Sequence, residues 1–221
     1  MESKPKPFKH NAFNANRVEW IVLTKAPIPG LVKTRLIPAL GKQGACDIYL
    51  QLLARLEGTL KKLVGKTHCQ VALWVAGDAS HHAFKTWSDL ATFYPQPEHG
   101  DLGVRMAMAV NSALARGCQP ILIGVDVPDL DEAYLLNCLE VFAVHDVVIS
   151  PAEDGGYGLL GMKQFYAELF VNKAWGTNTV FSETKSGLLK LNIHTAYLTK
   201  VWDVDELADV ERFFASLRKV I

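Results

Sequence analysis

Neither sign of charge dominates this chain. Lys and Arg number 23, Asp and Glu 23, and the formal net charge at pH 7 is zero. Nothing therefore draws it generally to nucleic acid or to an anionic membrane, and any anion site must be built locally. Cysteine is scarce: Cys46, Cys69, Cys118 and Cys138 show no Cys-x-x-Cys spacing. Three of them fall within helical or strand patterns, where a small buried hydrophobe suits, so the expectation is a reduced, cytoplasmic protein. No apolar run approaches the roughly 20 residues needed to span a bilayer. The first 17 residues are polar, with Lys4, Lys6 and Lys9 but no apolar run behind them. They read as a short disordered tail rather than a signal peptide or anchor.

Several familiar motifs are missing as well. Gly30 is followed by Leu-Val-Lys-Thr with no second glycine at Walker A spacing, which excludes a P-loop ATPase or kinase. Gly156-Tyr157-Gly158-Leu159-Leu160-Gly161 satisfies Gly-x-Gly-x-x-Gly, but it follows Asp154-Gly155 and itself reads as a strand. A dinucleotide fingerprint needs a strand before it and a helix starting within it. There is no Gly-x-Ser-x-Gly elbow, and His81-His82 has neither i, i+4 spacing nor a companion cysteine pair, which sets aside hydrolase triads and zinc chemistry.

What is present suits one α/β domain, expected over residues 18–221: the chain is 49% hydrophobic and 21% charged. The apolar run Val18 to Leu23 predicts a buried strand. Ala45, Ile48, Tyr49, Leu52, Leu53, Leu56, Leu60 and Leu63 recur at helical spacing and predict one long helix from Lys42 to Val64. Strands are expected over 70–76, 92–94, 120–125, 146–150, 157–162 and 194–201. Helices are expected over 79–89, 102–115, 131–142, within 177–191, and over 206–220. The first half thus reads as a parallel sheet wrapped by helices, and the second adds a hairpin and a returning strand.

In open α/β sheets ligands bind beyond the carboxyl ends of the strands. After the first strand comes Thr24-Lys25-Ala26-Pro27-Ile28-Pro29-Gly30-Leu31-Val32-Lys33-Thr34-Arg35. Two prolines stiffen it and Gly30 permits a turn that a Cβ disfavours, so Lys25, Lys33 and Arg35 can be aimed at phosphates in advance. The competing reading is a rigid connection with solvated cations. Asp126, in Gly124-Val125-Asp126-Val127-Pro128-Asp129, stands where a buried strand meets a loop and is the foremost candidate metal ligand. Magnesium and manganese take oxygen donors, commonly one or two carboxylates plus substrate phosphates. Its alternative is helix capping, for which Asp129 and Asp131 are better placed. Asp203 and Asp205 share a face if the last strand runs through them, and either completes a metal site; Asp205 also stands where a cap would. Asp154-Gly155-Gly156 is first a hairpin turn. Beside Ser150, Glu153 and Tyr157, Asp154 is also a candidate substrate contact or general base. Arg105, in the first turn of a helix capped by Asp101, offers a planar fork to phosphate or a base edge, or is a solvated charge. Trp175 offers an aromatic face, though burial is its commoner fate.

Taken in order, Lys-Ala-Pro-Ile-Pro-Gly-Leu-Val-Lys-Thr-Arg-Leu, Gly-Asp-Leu-Gly-Val-Arg-Met, Gly-Val-Asp-Val-Pro-Asp-Leu, Ser-Pro-Ala-Glu-Asp-Gly-Gly-Tyr and Trp-Asp-Val-Asp make the chain, from about Val18 to Phe214, resemble a known family. This is the glycosyltransferase-A-like family of nucleotide-diphospho-sugar transferases, in its domain-of-unknown-function, radical-SAM-associated group. Molybdenum cofactor and 2-phospholactate guanylyltransferases are related to it. The resemblance implies a Rossmann-like, mostly parallel mixed sheet flanked by helices, with Asp126 as metal-binding aspartate, Asp205 as second metal ligand, and the Lys25 to Arg35 loop at the nucleotide phosphates. Unlike the molybdenum cofactor enzymes, the first loop has no Gly-Gly-rich run. The expectation is a Mg²⁺- or Mn²⁺-dependent transferase moving a sugar from a nucleoside diphosphate sugar to a small acceptor, with Asp126 and Asp154 catalytic. The alternatives are nucleotidyl transfer from a nucleoside triphosphate with release of pyrophosphate, and a nucleotide-binding protein without turnover. Neither a nucleic-acid partner nor a membrane span is expected.

Overall fold

The computed structural model describes residues 17–218. The expected tail lies outside the described residues except for Arg17, whose carbonyl accepts from Gln119 N–H at 2.8 Å. In chain order the elements are β1 (Val18–Lys25), α1 (Ile37–Lys66), β2 (Gln70–Ala76), β3 (Ala91–Pro95), α2 (Leu102–Ala115), β4 (Gln119–Ile123), α3 (Glu132–Val144), β5 (Val147–Pro151), β6 (Tyr157–Met162), α4 (Val180–Lys190), β7 (Thr195–Tyr197) and α5 (Leu207–Arg218).

The strands form a single α/β domain around a seven-stranded sheet in the order β3-β2-β1-β4-β6-β5-β7. β1, β2, β3 and β4 pair in parallel, β6 runs antiparallel to both β4 and β5, and β7 is parallel to β5. Both faces are covered. Trp20 and Val22 of β1 face Leu60 of α1, Phe142 of α3 and Phe213 of α5, whereas Ile21 faces Val110 of α2 and Leu188 of α4. A sheet buried on both sides calls for strands apolar at successive positions, which is why β1 and β4 read as apolar runs rather than alternating ones; the one charge within Val18 to Leu23, Glu19, is buried and paired with Arg116. Each fully buried large side chain contributes about 1.5–3 kcal/mol, so Leu60→Ala would remove a substantial part of the margin that holds the domain. Among the described residues no helix is long and apolar enough to cross a membrane.

Three expected elements differ. Residues 79–89 are not an α-helix; a 3-10 turn spans His82–Trp87, because the buried side chains Phe84 and Trp87 stand three apart, the repeat a 3-10 turn aligns. The long helix starts earlier than Lys42, at Ile37, and is broken at Gly41, whose backbone is non-helical. The strand expected over His194 to Val201 is reduced to β7 and an isolated bridge between Ala152 and Val201. Between them Leu198 N–H still donates to Ile149 O and Val201 N–H to Pro151 O, both at 2.9 Å, while Thr199 O accepts from side-chain hydroxyls, Tyr134 Oη at 2.6 Å and Ser150 Oγ at 3.0 Å.

Candidate active site

From β1 the sheet grows one way through β2 and β3 and the other way through β4, so the carboxyl ends of β1 and β4 flank a topological switch point. A cleft of about 730 Å³ opens there. Lys25, Lys33, Arg35, Arg105, Asp126, Asp154 and Asp205 all line it, joined by Gln96, Trp175 and Asp203. Gly30 does not line it; its place is a turn at φ +93°, with Lys42 against it.

The loop after β1 is clamped. Ile28 N–H donates to Ala26 O at 2.8 Å, Leu31 N–H to Ile28 O at 2.9 Å, and Cys46 Sγ to Pro27 O at 3.3 Å. Ala26 and Val32 are buried, which anchors the loop at both ends. Lys33 follows with φ 45° and ψ 47°, the left-handed region, which a residue with a Cβ occupies only when its surroundings hold it. What holds it is ionic. Its Nζ lies 2.7 Å from Asp126 Oδ2 and 2.9 Å from Asp205 Oδ1, and Arg35 Nη1 lies 2.7 Å from Asp205 Oδ2. Burial by itself pushes the Lys33 pKa down, but the charges of Asp126 and Asp205 outweigh it and the pKa stands above the ordinary lysine value.

The carboxylates arrive from separate elements. Asp126 follows β4, and its carbonyl accepts from Val204 N–H at 2.9 Å, tying the end of the chain's last connection to the switch point. Val204 is fully buried, so Asp203 and Asp205 on either side of it are left to the cleft. Asp205 does not cap α5 with its side chain: Asp209 Oδ2 takes that part, accepting from Asp205 N–H at 3.1 Å and Glu206 N–H at 2.8 Å. Against the burial that would raise it, Lys33 and Arg35 hold the Asp205 pKa below the usual carboxylate value. Asp203 makes no such ion pair, and burial together with the charges of Asp154, Asp205 and Asp126 outweighs the more distant Lys33 and pushes its pKa up to about 7.

Because β6 runs antiparallel to β4, with Ile123 opposite Leu159, β6 begins where β4 ends. The turn before β6 is thereby set beside Asp126. Gly155 is required in that turn: its φ is +88°, and a Cβ would stand 2.2 Å from Asn178 O. Asp154 Oδ1 accepts from Gly156 N–H at 2.8 Å. Its expected neighbours divide. Tyr157 lines the cleft, whereas Glu153 pairs with Arg212 at 2.8 and 3.0 Å and Ser150 is buried against Tyr134 and Thr199.

The opposite end of the cleft holds a residue that sequence reasoning missed. Gln96 Nε2 donates to Thr24 O and to Trp74 O, both at 2.8 Å, bridging the ends of β1 and β2. Since both donor hydrogens are used, Oε1 is fixed as an acceptor, and Arg105 Nη1 donates to it at 3.4 Å. A glutamine between Pro95 and Pro97 just past a strand was the available signal. Trp175 packs on the start of α2, where a Cβ on Gly103 would stand 2.7 Å from its Nε1. Trp175 Nε1 and Arg105 Nε are buried without a hydrogen-bond partner among the described residues. Tyr49 completes the floor, its hydroxyl 2.7 Å from Thr24 Oγ1 and accepting Lys25 N–H at 3.0 Å.

An open, mixed sheet with phosphate-compatible cations and carboxylates at its switch point is the nucleotide-diphospho-sugar transferase fold, and the comparisons agree. The chain belongs to DUF2064, a family of uncharacterized proteins conserved in bacteria, whose model matches residues 59–177. That stretch contains Arg105, Asp126 and Asp154; Lys33 and Asp205 lie outside it. A protein of Desulfovibrio desulfuricans G20, provisionally named a nucleotide-diphospho-sugar transferase, is 28% identical with a TM-score of 0.74, over 85% of this chain and 82% of its own. The 4-diphosphocytidyl-2C-methyl-D-erythritol synthase of Anaerococcus prevotii DSM 20548 shares the fold at 9% identity and a TM-score of 0.60, over 94% and 99% of the two chains. Rv0371c of Mycobacterium tuberculosis H37Rv, solved in complex with manganese, shares it at 17% identity and a TM-score of 0.50, over 90% and 99%. No curated protein matches the sequence.

Among the described residues no group of three or more His, Cys, Asp or Glu side chains is arranged as a metal site. Two carboxylates do converge. One oxygen of Asp126 and one of Asp205 both lie within 2.9 Å of a single positive centre, the Lys33 ammonium. An all-oxygen pair of this kind, completed by water and phosphate, fits magnesium or manganese.

Proposed function

We propose that this protein is a metal-dependent transferase acting on a nucleotide-activated substrate, and that it moves a sugar from a nucleoside diphosphate sugar to a small acceptor. The observation that carries the reading is the convergence of Asp126 and Asp205 on one cationic point directly beside the clamped basic loop. Asp126 and Asp205 would hold Mg²⁺ or Mn²⁺, which supplies Lewis-acid stabilisation to a leaving diphosphate. Lys33 and Arg35 bind and neutralise the same phosphates with charge-assisted hydrogen bonds. Arg105, steadied by Gln96, orients the nucleotide, and Trp175 and Tyr157, whose rings meet edge to face at 6.5 Å, line the same cleft. Asp154 has one carboxylate oxygen committed to Gly156 N–H, which holds the group at the cleft for an acceptor hydroxyl and its proton. The fold and the D. desulfuricans relative support a nucleotide-sugar substrate, and a loop with a single glycine suits a diphosphate.

The test is incubation with Mn²⁺ or Mg²⁺ and panels of nucleotide sugars and nucleoside triphosphates, following ligand-induced thermal stabilisation and then product. Slow metal-dependent release of nucleoside diphosphate without acceptor, water standing in for it, is expected. Pyrophosphate formed from a triphosphate and an acceptor phosphate would replace glycosyl by nucleotidyl transfer. Tight binding with no product from any acceptor extract would support a binding protein instead.

A further inference from the structure

The ammonium of Lys33 and a divalent cation at Asp126 and Asp205 require the same oxygens. We infer that Lys33 is a built-in counter-ion that fills the metal position in the nucleotide-free protein and is handed over to the substrate phosphates, so that metal and nucleotide load together. The inference rests on the reading of Asp126 and Asp205 as the metal-holding pair.

The two cations of the loop are placed differently. The Lys33 side chain is 6% exposed and contacts both carboxylates, whereas that of Arg35 is 67% exposed and contacts Asp205 alone. Lys33 is thus inserted and Arg35 stands at the rim. With Nζ at 2.7 and 2.9 Å from the two oxygens, a second cation cannot share them without severe like-charge repulsion. The insertion offsets a concentration of negative charge. Asp126, Asp154, Asp203 and Asp205 gather four acidic groups at one end of the cleft, and one inserted positive charge reduces their mutual repulsion. A divalent ion meets that need better, and phosphates give the displaced ammonium somewhere to go. Metal alone should consequently bind with an affinity lowered by the fraction of time Lys33 vacates the site, and a phosphate-bearing ligand should restore it.

The test is Mn²⁺ binding to the full chain without nucleotide, followed by the loss of the free-ion electron paramagnetic resonance signal. Lys33→Met should bind Mn²⁺ about ten-fold or more tighter than the parent, as expected when a competing internal ligand is removed. Arg35→Ala removes the same unit of charge without vacating the metal position and should gain only about two-fold. Should Lys33→Met fail to fold, Lys33→Gln, which removes the charge but keeps a polar tip, carries the same expectation. If the Lys33 variants bind no tighter than the parent, or Arg35→Ala gains as much as they do, the counter-ion role is overturned while the metal reading stands. If neither the parent nor the variants bind Mn²⁺, both fall.

Discussion

At one end of the cleft the two cations of the basic loop are bound to carboxylates: Lys33 to Asp126 and Asp205, and Arg35 to Asp205. At the other end Gln96 is committed to the backbone of β1 and β2, but Arg105 is tethered by a 3.4 Å contact, and its Nε, like Nε1 of Trp175, has no hydrogen-bond partner among the described residues. The ionic end must therefore exchange partners before it can bind phosphate or metal. The polar and aromatic end is already in place, held to the sheet by neutral hydrogen bonds that ligand need not break. Arg105 keeps its charge at that end without a carboxylate partner among the described residues, so an anionic ligand meets no competing ion pair there.

The sharpest way to break this contrast is Asp126→Asn, which keeps side-chain volume and removes a ligand charge. Metal-dependent nucleotide binding should fall by about 100-fold or more in calorimetry, beyond what indirect metal contacts usually cost, with the fold retained by circular dichroism. Parent-like binding of metal and nucleotide would remove Asp126 from the site. Next in size, Lys33→Ala and Arg35→Ala should each weaken nucleotide binding by about 1.5–3 kcal/mol, as for hydrogen bonds to charged groups. The loss should shrink as phosphates are removed from the ligand; equal losses for a nucleoside and its diphosphate would make these cations structural.

At the preformed end, Gln96→Leu leaves Thr24 O and Trp74 O without their donor and frees Arg105. Urea denaturation should show a loss of about 1–3 kcal/mol, with weaker binding of nucleoside as well as nucleotide. A change in stability with none in nucleoside affinity would limit Gln96 to tying the strands. The smallest effect is expected at Glu153→Ala: its pairing with Arg212 lies on the surface, so stability should change by less than about 1 kcal/mol and nucleotide affinity not at all. A marked loss of affinity would return Glu153 to the site.

Local pattern made much of the fold legible in the residues. Strands buried on both faces carry apolar runs, α1 carries its stripe of leucines, and Asp101 and Asp131 cap helices as their positions suggest, accepting from Val104 and Tyr134 N–H. The loop from Lys25 to Arg35, Asp126 and the Asp154 turn were likewise visible, because a strand end followed by proline, glycine or aspartate is a local signal. Other features depend on distance in sequence. Lys33 and Asp205 are 172 residues apart, and nothing near either of them states that one neutralises the other. Periodicity left Asp205 between capping and metal binding; Asp209 taking over the capping is what released it. Gln96 was marked in the sequence only by the proline on either side of it, and its meaning lies in two carbonyls brought together by the pairing of β1 with β2. The sequence alone determined which residues end strands and which carry charge, since those are properties of a few neighbours. Which charges face one another was decided only by the tertiary structure, because electrostatic pairing and desolvation depend on separations in space that no local pattern encodes.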